Sequence, residues 1–166
     1  PESREAAPVA MECPTDVPAG ARCLRGQDSM GAHYVIVMPA QWSGVLVLHA
    51  HGGPTLGPVK FDRALEDLKR WGIWVRAGHA FAASTFRQGG VEVRAAAEDT
   101  ERLRRIFRQH VAVPQRTILH GQFRMVHGNG IIKGAVVQKL LETANVVQQA
   151  DDTGQFRYRF RKLLIA

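Results

Sequence analysis

The sequence predicts an α/β domain, a sheet of about five strands, mostly parallel, flanked by helices. Three observations carry this expectation. Short apolar, β-branched runs alternate along the chain with stretches of helical periodicity. One run, Val45-Leu46-Val47-Leu48-His49, is apolar almost throughout, the pattern of a strand buried on both faces of a parallel sheet. With 166 residues, 45% of them hydrophobic and 22% charged, the chain has enough apolar material for one packed domain and is not predicted to be disordered.

Taken in order, residues 1–20 are Pro-rich and aperiodic and read as a surface arm, leaving 21–166 as one domain. His33-Tyr34-Val35-Ile36-Val37-Met38 is a strand stopped by Pro39, and Gly44 introduces the strand Val45–His49. A Gly/Pro-rich loop follows from His51 to Pro58. Asp62 is placed to cap a helix running to Trp71, with Leu65 and Leu68 on one face and Gly72 as the stop. Gly78–Ala83 reads as the next strand, ending in the turn Ser84-Thr85.

From Val93 to Gln109 a helix is predicted, with Ala96, Thr100, Leu103 and Phe107 along one side. Glu98 with Arg102, and Glu101 with Arg105, form i,i+4 pairs on its outer face. After Pro114, Arg116–His120 is a short strand ending at Gly121. Residues 131–149 read as a helix, Asp151–Gly154 as a turn and 156–165 as a final strand.

Several function classes are narrowed by composition. No apolar run has the roughly 18 residues a spanning helix needs, so no membrane segment is expected. The opening residues lack the basic-then-apolar order of a signal peptide. Cys13 and Cys23 lie in a Pro/Gly-containing segment, where a disulfide would tie down the arm. That pairing gives an expectation of a secreted or periplasmic protein.

The net charge of +7 favours anionic partners, but most arginines lie on what reads as a solvated helix face. Nucleic-acid binding is therefore disfavoured. Its best candidate surface is Phe156-Arg157-Tyr158-Arg159-Phe160-Arg161, which alternates aromatic and basic residues. The plainer reading puts those aromatics in the core and the arginines on guard at a sheet edge. His49, His51, His120 and His127 can gather near the carboxyl end of the sheet. Their scattered spacing argues against a metal site, and no cofactor is expected. His127-Gly128-Asn129-Gly130, a glycine turn ahead of a helix, reads as an ordinary turn rather than an anion site.

The loop after the strand Val45–His49 carries the most chemistry. Gly52 and Gly53 let the backbone approach a ligand closely. Amide N–H groups presented at the carboxyl end of a parallel strand can stabilise a developing oxyanion. His51-Gly52-Gly53-Pro54 directly after such a strand is the oxyanion-loop arrangement of esterases and oligopeptidases. With it come Ser84-Thr85-Phe86-Arg87-Gln88-Gly89-Gly90, the helical segment 96–101, and Thr117-Ile118-Leu119-His120-Gly121-Gln122.

In that order, residues 23–121 resemble the α/β-hydrolase superfamily, nearest its prolyl-oligopeptidase-like and secreted esterase-like branches. The resemblance implies a serine hydrolase acting on a small ester or peptide carbonyl. It makes His51, Gly52, Gly53 and Gln122 the oxyanion-loop residues, and Ser84 and Arg87 pocket residues. It also exposes a departure. The family's elbow is Gly-x-Ser-x-Gly, whereas this chain reads Gly121-Gln122-Phe123-Arg124-Met125. Phe123 cannot attack a carbonyl, and Met125 crowds the turn. Ser84 lacks an assignable acid–base partner that would make it a substitute nucleophile.

Residues 123–166 match no family, and their Ile/Lys/Asn/Gln-rich composition breaks from the Arg/Ala/Gly-rich part before them. An abnormal junction near residue 122 and a truncated hydrolase-like domain are expected. No complete catalytic triad is recognised, so little or no turnover is expected. The competing readings are a non-catalytic binding or oligomerisation module, pairing through an exposed sheet edge, and a basic nucleic-acid-binding protein.

Overall fold

A computed structural model describes residues 5–51, 57–88, 93–121, 146–150 and 156–160; for the last two segments, only the backbone. The elements in chain order are β1 (Val9–Met11), β2 (Arg22–Gln27), β3 (His33–Met38), β4 (Val45–Ala50), α1 (Asp62–Trp71), α2 (Ile73–Arg76), β5 (Ala80–Ser84), α3 (Val93–His110), β6 (Arg116–Gly121), β7 (Val146–Ala150) and β8 (Phe156–Phe160).

Six strands form one mixed sheet in the order β1-β2-β3-β5-β4-β6, and β7 and β8 pair separately. The pairs β1–β2, β2–β3 and β3–β5 are antiparallel, while β5–β4 and β4–β6 are parallel. The expectation of a mostly parallel sheet is thus corrected: three of its five pairings are antiparallel. The reason lies in β1 and β2, which add two antiparallel neighbours that the sequence hides. β2 places Gly26 and two arginines among few apolar residues, and β1 is only three residues long. Where an aperiodic arm was expected, Val9–Met11 pairs with Arg25–Cys23 at the sheet edge.

Gly26 is a packing requirement. A Cβ there would lie 2.2 Å from the hydroxyl oxygen of Tyr34, its register partner on β3. Tyr34 is itself buried, and burial followed by the nearby Glu5 and Asp28 carboxylates pushes its pKa up to about 12. The Cys13–Cys23 disulfide forms, with Cα atoms 5.3 Å apart, and joins the segment after β1 to β2. Closing a loop this short contributes about 2–3 kcal/mol through the unfolded chain.

The strands' period of two sorts side chains into two layers. Tyr34, Ile36, Leu46, Leu48, Ala80 and Ala82 face Leu103, Ile106 and Phe107 of α3. Val35, Val37, Val47, Phe81 and Ala83 face Ala64 and Leu68 of α1 and Val75 of α2. Helices therefore cover both faces, as the alternation predicts. Within α3, Thr100, Leu103 and Phe107 are buried as expected.

Other local details differ from the sequence reading. Phe61 takes the N-cap position of α1 without a side-chain cap bond, so Asp62 is its first helical residue and not its cap. Gly72 closes α1 but retains a right-handed backbone, and the chain runs directly on into α2. Arg102 turns inward rather than pairing with Glu98 on the outer face of α3: it bonds the Glu98 backbone carbonyl at 3.2 Å and Asp99 at 2.9 Å. Glu101 and Arg105 do approach, at 3.9 Å. Val146–Ala150 is a strand, not the end of a helix; residues 131–145 of that expected helix lie outside the described residues. β8 falls within the predicted final strand. No described helix is long and apolar enough to cross a membrane.

Candidate functional site

The carboxyl ends of the parallel strands define the site. β5 and β6 lie on opposite sides of β4, so the chain reverses direction across the sheet at β4, which is where open α/β sheets form ligand crevices. Register sets His49 opposite Ala83 on one side and His120 on the other, and Ala50 opposite Gly121. The chain leaves β4 at His51 and β6 at Gly121, on adjacent strands at the same edge.

His51 is half-buried. Its Nε2 donates to the carbonyl of Thr85 at 3.3 Å, and its ring stacks on Phe86 with centroids 4.4 Å apart. That bond assigns the proton to Nε2 and leaves Nδ1 as the lone pair, buried with no partner among the described residues. Burial, the largest influence, lowers the His51 pKa.

Ser84 is buried, and its hydroxyl oxygen accepts from the Phe86 N–H at 3.1 Å. That bond supports a backbone kink: Phe86 has φ 58°, a left-handed conformation a bulky residue adopts only when its surroundings impose it. Arg87 donates its backbone N–H to Asp99 at 2.8 Å and bonds Glu98 through its guanidinium. Ser84 and Arg87 therefore brace the turn beside His51. Gly52, Gly53 and Gln122 lie outside the described residues, as do Pro54, Phe123, Met125 and the turn His127–Gly130.

On the α1 side, His49 meets a carboxylate and His120 meets His49. His49 shares a face with Val47 and points at α1. Its Nε2 is 3.6 Å from Asp67 Oδ1, and its Nδ1 is 2.9 Å from Nδ1 of His120. His49 is also stacked on Phe81, with centroids 5.8 Å apart. The His120 ring stands edge-to-face against Trp71 and Trp74, at 4.4 and 5.5 Å. Asp67 is buried at 4% exposure, and its Oδ2 has no partner among the described residues. Arg63 approaches Oδ1 only to 4.0 Å.

The sequence pointed to His49, His51 and His120 but missed Asp67. Its signal was available: Ala64, Asp67, Leu68 and Trp71 follow i, i+3, i+4, i+7, so a carboxylate sits within the sheet-facing stripe of α1. A buried carboxylate there requires a partner, and His49 is the group it meets. No group of three or more His, Cys, Asp or Glu side chains among the described residues is arranged so that it could hold a metal ion.

Burial, then the His49 charge, lowers the His120 pKa from 6.5 to about 4. The unfolded chain therefore binds this proton near pH 6.5, while the folded chain resists it until about pH 4. Stability from His120 is complete above pH 6.5 and is lost as pH falls through that window, with a slope approaching 1.4 kcal/mol per pH unit. Discounted for partial exposure, the total is about 2 kcal/mol. Urea unfolding of wild type and His120→Phe at pH 7.5, 6 and 5 checks this. The wild type should lose stability more steeply on acidification, and parallel curves would refute the assignment.

No protein-family model matches the chain, and no curated protein or solved structure matches it either.

Proposed function

We propose that this chain is of hydrolase lineage and keeps the carbonyl-binding half of a serine-hydrolase site without a serine nucleophile. One observation carries the reading: β4 and β6 are adjacent and parallel, with Ala50 opposite Gly121. The chain consequently leaves β4 at His51 and β6 at Gly121 from neighbouring strand ends. An oxyanion hole built from amides of two separate segments requires that relation. α1 follows the loop, completing the strand–loop–helix context the motif calls for. The ligand class is a small ester, peptide carbonyl or product carboxylate. Phe123 at the nucleophile position supplies no attacking oxygen. The disulfide favours a secreted or periplasmic setting, where oxidised cysteines persist.

Fluorophosphonate labelling and a carboxylate titration test the two halves of this reading. Fluorophosphonate, which reports activated serines, should leave no adduct; a stoichiometric one would overturn the loss of the nucleophile. Butyrate should shift the Gly52 and Gly53 amide resonances saturably. Unmoved glycine amides would remove the oxyanion-loop assignment.

A further inference from the structure

The three polar side chains on the α1 face of the site lie in series, Asp67 Oδ1 within 3.6 Å of His49 Nε2 and His49 Nδ1 hydrogen-bonded to His120 Nδ1 at 2.9 Å. Asp67 lies on the Nε2 side of His49, and a carboxylate there favours the tautomer with the proton on Nε2. Nδ1 of His49 is then a lone pair. Two nitrogens 2.9 Å apart share one proton, so His120 must donate from its own Nδ1. The remaining ring nitrogen of His120, Nε2, is left as an acceptor and takes no hydrogen bond from the described residues. Trp71 and Trp74, both half-buried, stand edge-to-face with that ring and set aromatic surface beside it, and the buried Trp74 Nε1–H has no partner among the described residues.

We propose that Asp67 and His49 lock His120 in its Nδ1–H form, so that His120 Nε2 is an acceptor site for the hydroxyl of an aromatic or aliphatic alcohol. The alcohol's hydroxyl donates to Nε2 while its apolar body lies against Trp71 and Trp74. If the hydroxyl proton transfers, it lands on His120 Nε2 and the Nδ1 proton moves to Nδ1 of His49. The alkoxide oxygen keeps the electron pair, and the imidazolium formed at His49 faces the Asp67 carboxylate.

The charged and titratable neighbours fit this role. Asp67 and Arg63 come from α1, His49 from β4, and His51 from the segment after it. The lowered pKa keeps His120 uncharged, and therefore an acceptor, from neutral pH down to about pH 5. The site stands independently of the oxyanion-loop reading, since none of its residues lies in that loop.

Long-range 15N–1H correlation spectra of the full chain at pH 7 test the lock. His120 should appear as the Nδ1–H tautomer and His49 as the Nε2–H tautomer; the reverse pair would overturn the proposal. Benzyl alcohol is the ligand probe. It should shift the His120 Nε2 resonance saturably and quench Trp71 and Trp74 emission, with at least tenfold weaker binding in His49→Phe. Equal binding by that variant, or no shift at Nε2, would refute the site. Should His49→Phe not fold, the wild-type tautomers and the Nε2 titration decide the matter alone.

Discussion

Replacing Arg102 by Met is expected to lower the unfolding free energy by about 3–5 kcal/mol, the cost of leaving buried charge uncompensated. Its guanidinium lies 2.9 Å from Asp99, 3.4 Å from Glu5 and 3.6 Å from Asp28, and donates to the Glu98 carbonyl at 3.2 Å. Asp99 is fully buried and Asp28 nearly so. Burial already raises the Asp99 pKa, against the opposing pull of its Arg87 backbone bond and the Arg87 and Arg102 charges. Removing one of these cations leaves Arg87, 3.4 Å away, as the only arginine shown within ion-pair distance of Asp99 among the described residues. Met fills much of the volume of the arginine stem, so the loss reports charge rather than a cavity.

The same substitution tests how residue 5 is held. Glu5 accepts from the Ser29 backbone and hydroxyl at 2.8 and 2.6 Å, and its carbonyl accepts from His110 at 2.9 Å. Arg102 adds the charge that ties this start of the described chain to α3. Arg102→Lys keeps the charge but lacks the planar fork that reaches several acceptors at once. It should cost about half as much. Urea denaturation of the three proteins measures both effects. A loss below about 1 kcal/mol for Arg102→Met would show that the cluster is hydrated rather than buried.

Elements whose apolar residues recur at a clear period were legible in the sequence. β3, β4 and β5 each carry a buried run, and α1 and α3 each carry a helical stripe. β2 was not legible, because its value to the sheet rests on Gly26 accommodating Tyr34, a fact of packing rather than of pattern. β1 is held by partners distant in sequence: β2 through backbone pairing and, just beyond the strand, the disulfide. α2 is a single turn after Gly72, too short to show a period. Over 146–149 the sequence runs Val-Val-Gln-Gln, which suits either helix or strand, and the helical reading followed the residues before it.

The site was legible in part for the same reason. Register between parallel strands pairs His49 with His120, and no spacing along the chain encodes that partnership across 71 residues. Once β4 and β6 are known to be neighbours, the pair follows from alternation, since both histidines fall on the α1 face. Arg102 shows the opposite case. A favourable i,i+4 spacing with Glu98 suggested a solvent pair, but Asp28 and Glu5, brought in by β2 and the preceding segment, drew the side chain inward. Local pairing energies of a few tenths of a kcal/mol do not compete with a buried cluster of carboxylates.

Truncating Phe81 to Ala is expected to cost about 3–5 kcal/mol and to loosen the histidine pair together with the core. Phe81 is fully buried on β5, paired with Val37 on one side and Val47 on the other, and it lies over α1. Its ring is one wall of the His49 environment, at an interplanar angle of 23°. Alanine leaves a cavity at the centre of the sheet that neighbouring strands, fixed by backbone pairing on both sides, cannot close. For a chain of this size the melting temperature should fall by about 10 °C. Phe81→Leu fills most of the volume and should cost under about 1.5 kcal/mol. The site provides a second readout. In Phe81→Ala the His49 ring gains room, so its tautomer signals should average, whereas Phe81→Leu should keep the wild-type pattern. If Phe81→Ala loses stability but leaves both histidine tautomers sharp, then Asp67, His120 and Trp71 position His49 without Phe81, whose ring contributes only packing.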